Sequence, residues 1–179
     1  MLARFVLLTD RLASYIRSTA LISPQIVSRR FMKLEGSHTI SAPRQTVWKM
    51  LQDPDVLAKA TPGVQSMAQE SEDFYKATLK LGIGPVKGTF DGHVKITDKN
   101  EPEAMTLNVE GQGGPGGVKA EGRLRLEEQG DKTIIHWAGE PQMSGRIAAV
   151  GGRLVGGVAK KMAGQFFESI DKQSDSYQA

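Results

Sequence analysis

Residues 132–172 decide the fold: KTIIHWAGEPQM (132–143) is followed at once by SGRIAAVGGRLVGGVAKKMAGQFFESIDK (144–172). The first segment has the length and the β-branched content of a strand. The second contains no Pro and repeats its apolar residues at steps of three and four, which predicts one long helix. The apolar positions of this helix are Ile147, Val150, Leu154, Val158, Met162, Phe166 and Ile170.

The helical segment is unusually rich in Gly. Each Gly inside a helix costs about 1 kcal/mol relative to Ala, so several together indicate either close packing against a neighbour or space left for a ligand. Gly152 and Gly156 also form a GxxxG pair, but its meaning as a membrane dimer motif requires an apolar segment of about 20 residues. Arg153, Lys160 and Lys161 exclude such a segment here.

The chain before residue 132 alternates apolar and polar residues in strand-length segments. A first strand (34–40) is followed by two short helices, within 41–51 and 53–63, and the second of these ends at Pro62-Gly63. The further strands are predicted at 64–71, 74–84, 85–98, 103–111, 118–128 and 132–143. No crossover helix separates them, so they form an antiparallel meander. We therefore predict an α+β helix-grip fold: a curved antiparallel seven-stranded sheet wrapped around a long C-terminal helix, with two short helices after the first strand.

The composition excludes several classes of site. The 179 residues include no Cys, which rules out disulfides, thiolate nucleophiles and Cys-ligated metals. The three His residues are far apart in sequence and have no zinc-ligand spacing. The total charge is +3, but residues 1–31 contain five Arg and one Asp, so residues 32–179 carry −1. The folded part is therefore not expected to bind nucleic acid.

Residues 1–31 differ from the rest of the chain. They contain no Lys and no Glu, and an apolar helical face that includes Leu2, Phe5 and Leu8 lies opposite Arg4 and Arg11. Such amphipathic, Arg-rich and acid-poor segments are typical of a transit peptide or a membrane-surface helix. An upstream extension without function is the third alternative, because MKLEGSHTI, from Met32, is typical of a domain start. We predict an amphipathic or disordered N-terminal extension at 1–31 and a helix-grip domain at 32–179.

The chain also resembles a known family. The matching segments are GSHTISAPRQTVWKMLQDPDVLAKATPG (36–63), LKLGIGPVKGTFDG (79–92) and SGRIAAVGGRLVGGVAKKMAGQFF (144–167). In this order they resemble the CoxG-like family of carbon monoxide dehydrogenase subunits, within the START/Bet v 1-like (SRPBCC) superfamily. The resemblance implies a non-catalytic accessory protein that accompanies a molybdenum hydroxylase and is associated with its membrane attachment and with a hydrophobic ligand such as a quinone. Superfamily relatives bind lipids, sterols or aromatic products, and others are cyclases or dehydratases.

We expect a ligand cavity between the sheet and the long helix. Strand alternation and the apolar stripe of the helix place its lining residues inward: Leu79, Leu81, Leu107, Val109, Leu124, Val150 and Leu154, with His38 in or near the cavity. His38 is interpreted as a hydrogen-bonded core residue, a polar anchor for a ligand, or a general acid or base. Two Gly-rich segments, GIGPVKG (82–88) and GQGGPGG (111–117), are interpreted as hairpin loops or as lids at the cavity mouth.

No carboxylate partner for His38 is visible on an inward face, and this favours binding over catalysis. Together with the family resemblance, which implies a quinone or a lipid as the ligand, this predicts a binding protein without catalytic residues, metal or cofactor. Its expected partners are a molybdenum hydroxylase and the membrane periphery, and its expected location is cytoplasmic. The alternative function is a polyketide cyclase or dehydratase that acts on a hydrophobic substrate in the same cavity.

Overall fold

A computed structural model describes residues 32–177. The predicted extension at 1–31 lies outside these residues, so the boundary at residue 32 stays a prediction. The elements, in chain order, are β1 (Leu34–Ile40), α1 (Arg44–Met50), α2 (Pro54–Ala60), β2 (Val64–Ser71), β3 (Phe74–Ile83), β4 (Val86–Asn100), β5 (Ala104–Gly113), β6 (Gly116–Gln129), β7 (Lys132–Met143), α3 (Arg146–Ala149) and α4 (Gly152–Ser174).

The seven strands form one antiparallel sheet in the order β1-β7-β6-β5-β4-β3-β2. Consecutive strands from β2 to β7 are neighbours, as in a meander. The first strand, β1, pairs with the free edge of β7. The register places Gly36 of β1 opposite Trp137 of β7, and Trp137 opposite Leu124 of β6. The predicted helix-grip fold is confirmed.

The densest part of the core lies where α1 and the second half of α4 meet the sheet. Val47 and Met50 of α1, Ile135 of β7 and Ile170 of α4 are all completely buried. The Thr133 hydroxyl, also buried, donates to the carbonyl of Ala42 at 2.8 Å and fixes β7 against the start of α1. Burial of such apolar side chains is the main favourable term in folding, worth about 1.5–3 kcal/mol each.

Two local features position α2. Asp53 caps the helix, since its carboxylate accepts from the backbone N–H groups of Asp55 and Val56 at 2.9 and 3.2 Å. Pro54 occupies the first helical position, where its missing N–H costs nothing.

No helix within residues 32–177 combines the length and the apolarity that crossing a bilayer requires.

The prediction of one uninterrupted C-terminal helix is wrong. The segment is divided into α3 and α4 at Gly151, whose φ of +87° does not belong to a right-handed helix. The break shifts the helical phase, so that Val155 rather than Leu154 is buried in the first turn of α4. The predicted apolar stripe of the helix, which included Val150 and Leu154, required an unbroken helix.

The two Gly-rich segments are mostly strand. The hairpin from β3 to β4 turns at Gly84-Pro85, and that from β5 to β6 turns at Gly114-Pro115. Pro115 is buried, and its carbonyl accepts from the N–H of Ile147 in α3 at 3.2 Å. Gly116 has a φ of +134° and packs so closely that a Cβ would collide with the carbonyl oxygen of Ser144. These contacts hold α3 against the turn between β5 and β6.

Candidate ligand-binding cavity

A cavity of about 310 Å³ lies between the inner face of the sheet and the second half of α4. Its volume is at the lower end of the range of about 300–1,000 Å³ that small-molecule sites occupy. Strands β4, β5 and β6 form one wall with a set of aliphatic side chains: Val94, Ile96, Leu107, Val109 and Leu124. The opposite wall consists of Ala163, Phe166 and Phe167 of α4, and Leu51 and Leu57 lie at the end nearest α2.

Small residues create the space. Gly122 of β6 lies on the inner face between Leu124 and Ala120, and a Cβ there would meet no atom closer than 3.7 Å. Ala163 lines the cavity from α4 with a single side-chain carbon. A larger side chain at either position would occupy part of this space, so these two residues help to keep the interior open.

Three cavity-lining residues carry polar side-chain atoms: Thr61, Tyr75 and Trp137. The Thr61 hydroxyl donates to the carbonyl of Leu57, and the Tyr75 hydroxyl donates to the carbonyl of Gln52, both at 2.7 Å. The indole Nε1 of Trp137 is buried and has no hydrogen-bond partner among residues 32–177. Two of the three donors are thus engaged by the protein itself.

Burial raises the pKa of Tyr75, and the negative charges of Asp73 and Asp53 add to this effect. The phenol therefore stays neutral in the folded protein throughout the physiological pH range. No Asp, Glu, His, Lys or Arg lines this cavity among the described residues. The cavity can accept an apolar molecule, but its described lining presents no pair of acidic or basic side chains for proton transfer.

Three of the eight predicted site residues line the cavity: Leu107, Val109 and Leu124. Leu79 and Leu81 share the inner face of β3 with Tyr75, but lie further along the strand and outside the lining. As contacts of a ligand, all eight residues stay a prediction.

Val150 and Leu154 lie outside the lining because the helix is broken at Gly151. Leu154 is 41% exposed, and its side chain lies against the turn between β3 and β4, where a Cβ on Gly84 would be 2.7 Å from Leu154 Cδ2. The apolar stripe therefore leads away from the cavity at this end, toward the molecular surface.

His38 is half-buried on β1 and also lies outside the lining. Its ring stacks on Phe167, with the two ring centroids 4.9 Å apart. Phe167 does line the cavity, so His38 contacts a wall residue and not the cavity itself. This position suits a packing role and leaves no direct path for proton exchange with a ligand.

The sequence reasoning missed several lining residues. Alternation along β3 and β4 puts Tyr75, Val94 and Ile96 on inner faces, but nothing in the pattern indicates which inner residues border empty space. Alternation does not decide whether His136 or Trp137 faces inward, and the register opposite Leu124 places Trp137 on the inner face. Phe167 was missed because the stripe was drawn through Phe166 alone.

Two larger depressions, of about 590 and 580 Å³, are lined by mixtures of polar, charged and apolar residues of the sheet. Their charged side chains pair with one another: Lys119 with Glu110, and Arg123 with Glu121 at 3.0 Å. These exposed ion pairs are typical of a solvated sheet face, and each contributes little to stability. The smaller cavity beneath α4, whose lining holds no charged side chain, suits an apolar ligand better.

Comparison with known families identifies the chain. The family model of CoxG, a subunit of carbon monoxide dehydrogenase, matches residues 36–174. The chain belongs to the CoxG family. The resemblance inferred from the sequence motifs is therefore confirmed, and the match extends from within β1 to the end of α4.

Several solved structures are similar to the chain. A conserved protein from Geobacillus kaustophilus is 36% identical, with a TM-score of 0.76 over 80% of this chain and 95% of its own. A START superfamily protein from Mycobacterium smegmatis is 13% identical, with a TM-score of 0.64 over 80% and 97%. The Zhui aromatase/cyclase from a Streptomyces species is 13% identical, with a TM-score of 0.61 over 80% and 93%. The last two likenesses show the START-like fold alone. No curated protein is significantly similar to the chain.

Proposed function

We propose that this CoxG-family protein is a non-catalytic accessory protein that holds an apolar small molecule, a quinone or a lipid, in its internal cavity. The observation that carries the proposal is the cavity of about 310 Å³ with aliphatic and aromatic walls beneath α4. Such a cavity gains free energy from each apolar group it takes out of water, about 25 cal/mol per Å² of apolar surface.

The alternative function, a cyclase or dehydratase, requires groups that move protons at the substrate. The described cavity lining contains no carboxylate and no imidazole, and His38 is separated from the cavity by Phe167. The likeness to an aromatase/cyclase is a likeness of fold, and sites rather than folds carry a function. These observations support binding over catalysis.

Family membership supports a partner of the carbon monoxide dehydrogenase type, a molybdenum hydroxylase, and a cytoplasmic location at the membrane periphery. One surface fits such a location. No acidic residue stands between Glu140 and Glu168, whereas the start of this segment exposes Arg146, Arg153 and the apolar Leu154. We name this surface, formed by α3 and the first turn of α4, the basic edge. Cations around an exposed apolar side chain suit the negatively charged surface of a bilayer.

The test is mass spectrometry of small molecules extracted from the full-length protein after native purification. We expect a quinone or a lipid at near one molecule per chain. The matched control is Ala163→Phe, which fills the cavity from α4 and should yield little or none. A cavity that is empty after purification and takes up neither naphthoquinones nor phospholipids would refute the proposal and leave a purely structural adaptor.

A further inference from the structure

The inner face of the sheet is buried at one end and half-exposed at the other. On β6, Leu126 is buried, whereas Val118, near the start of the strand, is half-buried. On β7, Ile135 is completely buried and Pro141 is half-buried. Both half-buried residues lie toward α3, which is held by the turn before β6. The cavity therefore lies between a closed end at α1 and a less covered end that faces α3.

Small residues continue the inner face from the cavity toward this less covered end. Val94 and Val109 line the cavity, and the next inner positions along their strands are Gly92 and Gly111, which lie opposite each other. On β3 the residue opposite Gly92 is Ala77. These positions carry at most one side-chain carbon, so the strands leave a shallow path over the sheet from the cavity toward α3.

The first half of α4 packs on β1 and covers the β3 side of the sheet less completely. Gly156 faces β1, where a Cβ would be 3.4 Å from Leu34 Cδ2. Val155 is the one buried residue of the described range 152–166. On β3, the inward-facing Leu81 is only half-buried. This half of the helix is therefore held by few buried apolar contacts, which is typical of segments that open locally.

Leu154 lies at the outer end of the path. It is 41% exposed, and its side chain extends from the first turn of α4 to the turn between β3 and β4, where a Cβ on Gly84 would be 2.7 Å from Leu154 Cδ2. Gly84 has a φ of +59°, and Gly151, directly before α4, has a φ of +87°. Gly adopts other backbone conformations at little steric cost, so the backbone on either side of this contact can move.

We propose that Leu154 is the gate of the cavity: it closes an entrance between the first turn of α4 and the turn between β3 and β4. A ligand enters and leaves when Leu154 separates from Gly84. This inference rests on the proposed function, because it requires the cavity beneath α4 to be the binding site. Leu154 does not line the cavity, so the gate sets the rate of ligand exchange and not the affinity. The entrance opens at the basic edge.

The experiment locks the gate with a disulfide. Gly84→Cys and Leu154→Cys are combined in the full-length protein, which has no Cys of its own, so the two new thiols can pair only with each other within the chain. The probe is N-phenyl-1-naphthylamine, an uncharged dye that fluoresces more strongly in apolar surroundings and does not react with thiols. Stopped-flow fluorescence measures its uptake and release. The oxidised protein should exchange the dye about tenfold more slowly than the wild type, with an unchanged Kd.

The reduced form of the same protein is the matched control, since it carries both substitutions without the cross-link. It should exchange the dye at least as fast as the wild type, because Cys is smaller than Leu. Leu154→Ala tests the gate without a cross-link, and should raise the rates of uptake and release about threefold with an unchanged Kd. Lys161→Ala, an exposed position on the same helix, should leave both rates unchanged.

The outcomes separate the gate from the binding site. If the oxidised protein binds the dye and exchanges it at the rate of the reduced form, the entrance lies elsewhere and the gate is refuted, while the cavity remains a binding site. Wild-type rates in Leu154→Ala would lead to the same conclusion. A wild type that does not bind the dye, together with native protein that carries no ligand, would overturn the proposed function and the gate with it.

Discussion

Substitution of Ala163 by Leu places a larger apolar side chain into the cavity and should stabilise the protein while it weakens ligand uptake. Ala163 lies on α4 and borders the cavity of about 310 Å³, so the added side chain enters space that holds no protein atoms. The change adds three carbon atoms, each worth about 0.8 kcal/mol on burial, or about 2.4 kcal/mol in all. Ordering the Leu side chain costs about 0.5–1 kcal/mol.

The expected net gain is about 1.5 kcal/mol in the free energy of unfolding. For a domain of this size, 1 kcal/mol shifts the melting temperature by about 2–4 °C, so the variant should melt about 3–6 °C higher than the wild type. The measurements are urea and thermal unfolding of protein freed of ligand, together with titration of 1,4-naphthoquinone. Binding should weaken strongly in the variant because the same volume is no longer free.

Gly156→Leu is the matched control on the same helix. Gly156 faces β1, where a Cβ would be 3.4 Å from Leu34 Cδ2, so a Leu there meets a packed surface. Overpacking costs about 1–3 kcal/mol, and the loss of a helical Gly returns about 1 kcal/mol, which leaves a net loss of up to about 2 kcal/mol. If Ala163→Leu were instead destabilising by more than about 1 kcal/mol, as overpacking would make it, the interior would be closed and the reasoning refuted.

Three further predictions concern other parts of the molecule. Tyr75→Phe should cost about 1 kcal/mol at pH 7, because the carbonyl of Gln52 loses its donor. The pKa of Tyr75 is raised in the folded protein, so the contribution of its hydroxyl to the free energy of unfolding is complete below the unfolded pKa of about 10. This contribution is lost as the pH rises through the pKa of the folded protein. Urea unfolding at alkaline pH should therefore depend less on pH in Tyr75→Phe than in the wild type. A protein that starts at Met32 should unfold at the same urea concentration as the full chain, whereas a large loss of stability would show that the extension packs on the domain. Leu154→Glu should lower sedimentation with anionic vesicles severalfold and leave neutral vesicles unaffected, and equal binding by both proteins would exclude the basic edge as a membrane contact.

Much of the fold could be predicted because it depends on periodicity. Alternation along β5 and β6 placed Leu107, Val109 and Leu124 on the inner face, and these three residues do line the cavity. Side chains of a strand point to opposite faces in turn, whatever the strand pairs with. The lack of crossover helices between the predicted strands likewise indicated an antiparallel meander, and the sheet has that order.

The helix break could not be predicted in the same way. Gly151 lies inside an apolar pattern that continues on both sides of it, and Gly is compatible with a helix as well as with positive φ. The choice depends on a long-range contact: the N–H of Ile147 binds the carbonyl of Pro115, which ties α3 to the hairpin turn between β5 and β6. As a result the phase of α4 differs from that of the predicted stripe, and Leu154 lies at the surface.

By itself, the sequence determined the fold class, the inner faces of the strands and the membership of the CoxG family, since each of these follows from local periodicity or from ordered motifs. Only the tertiary structure decided where the cavity lies. The cavity exists because Gly122 and Ala163, more than 40 positions apart in the chain, are brought to opposite walls with too little side chain to fill the gap. Empty volume arises from the packing of distant segments, and no local pattern encodes it.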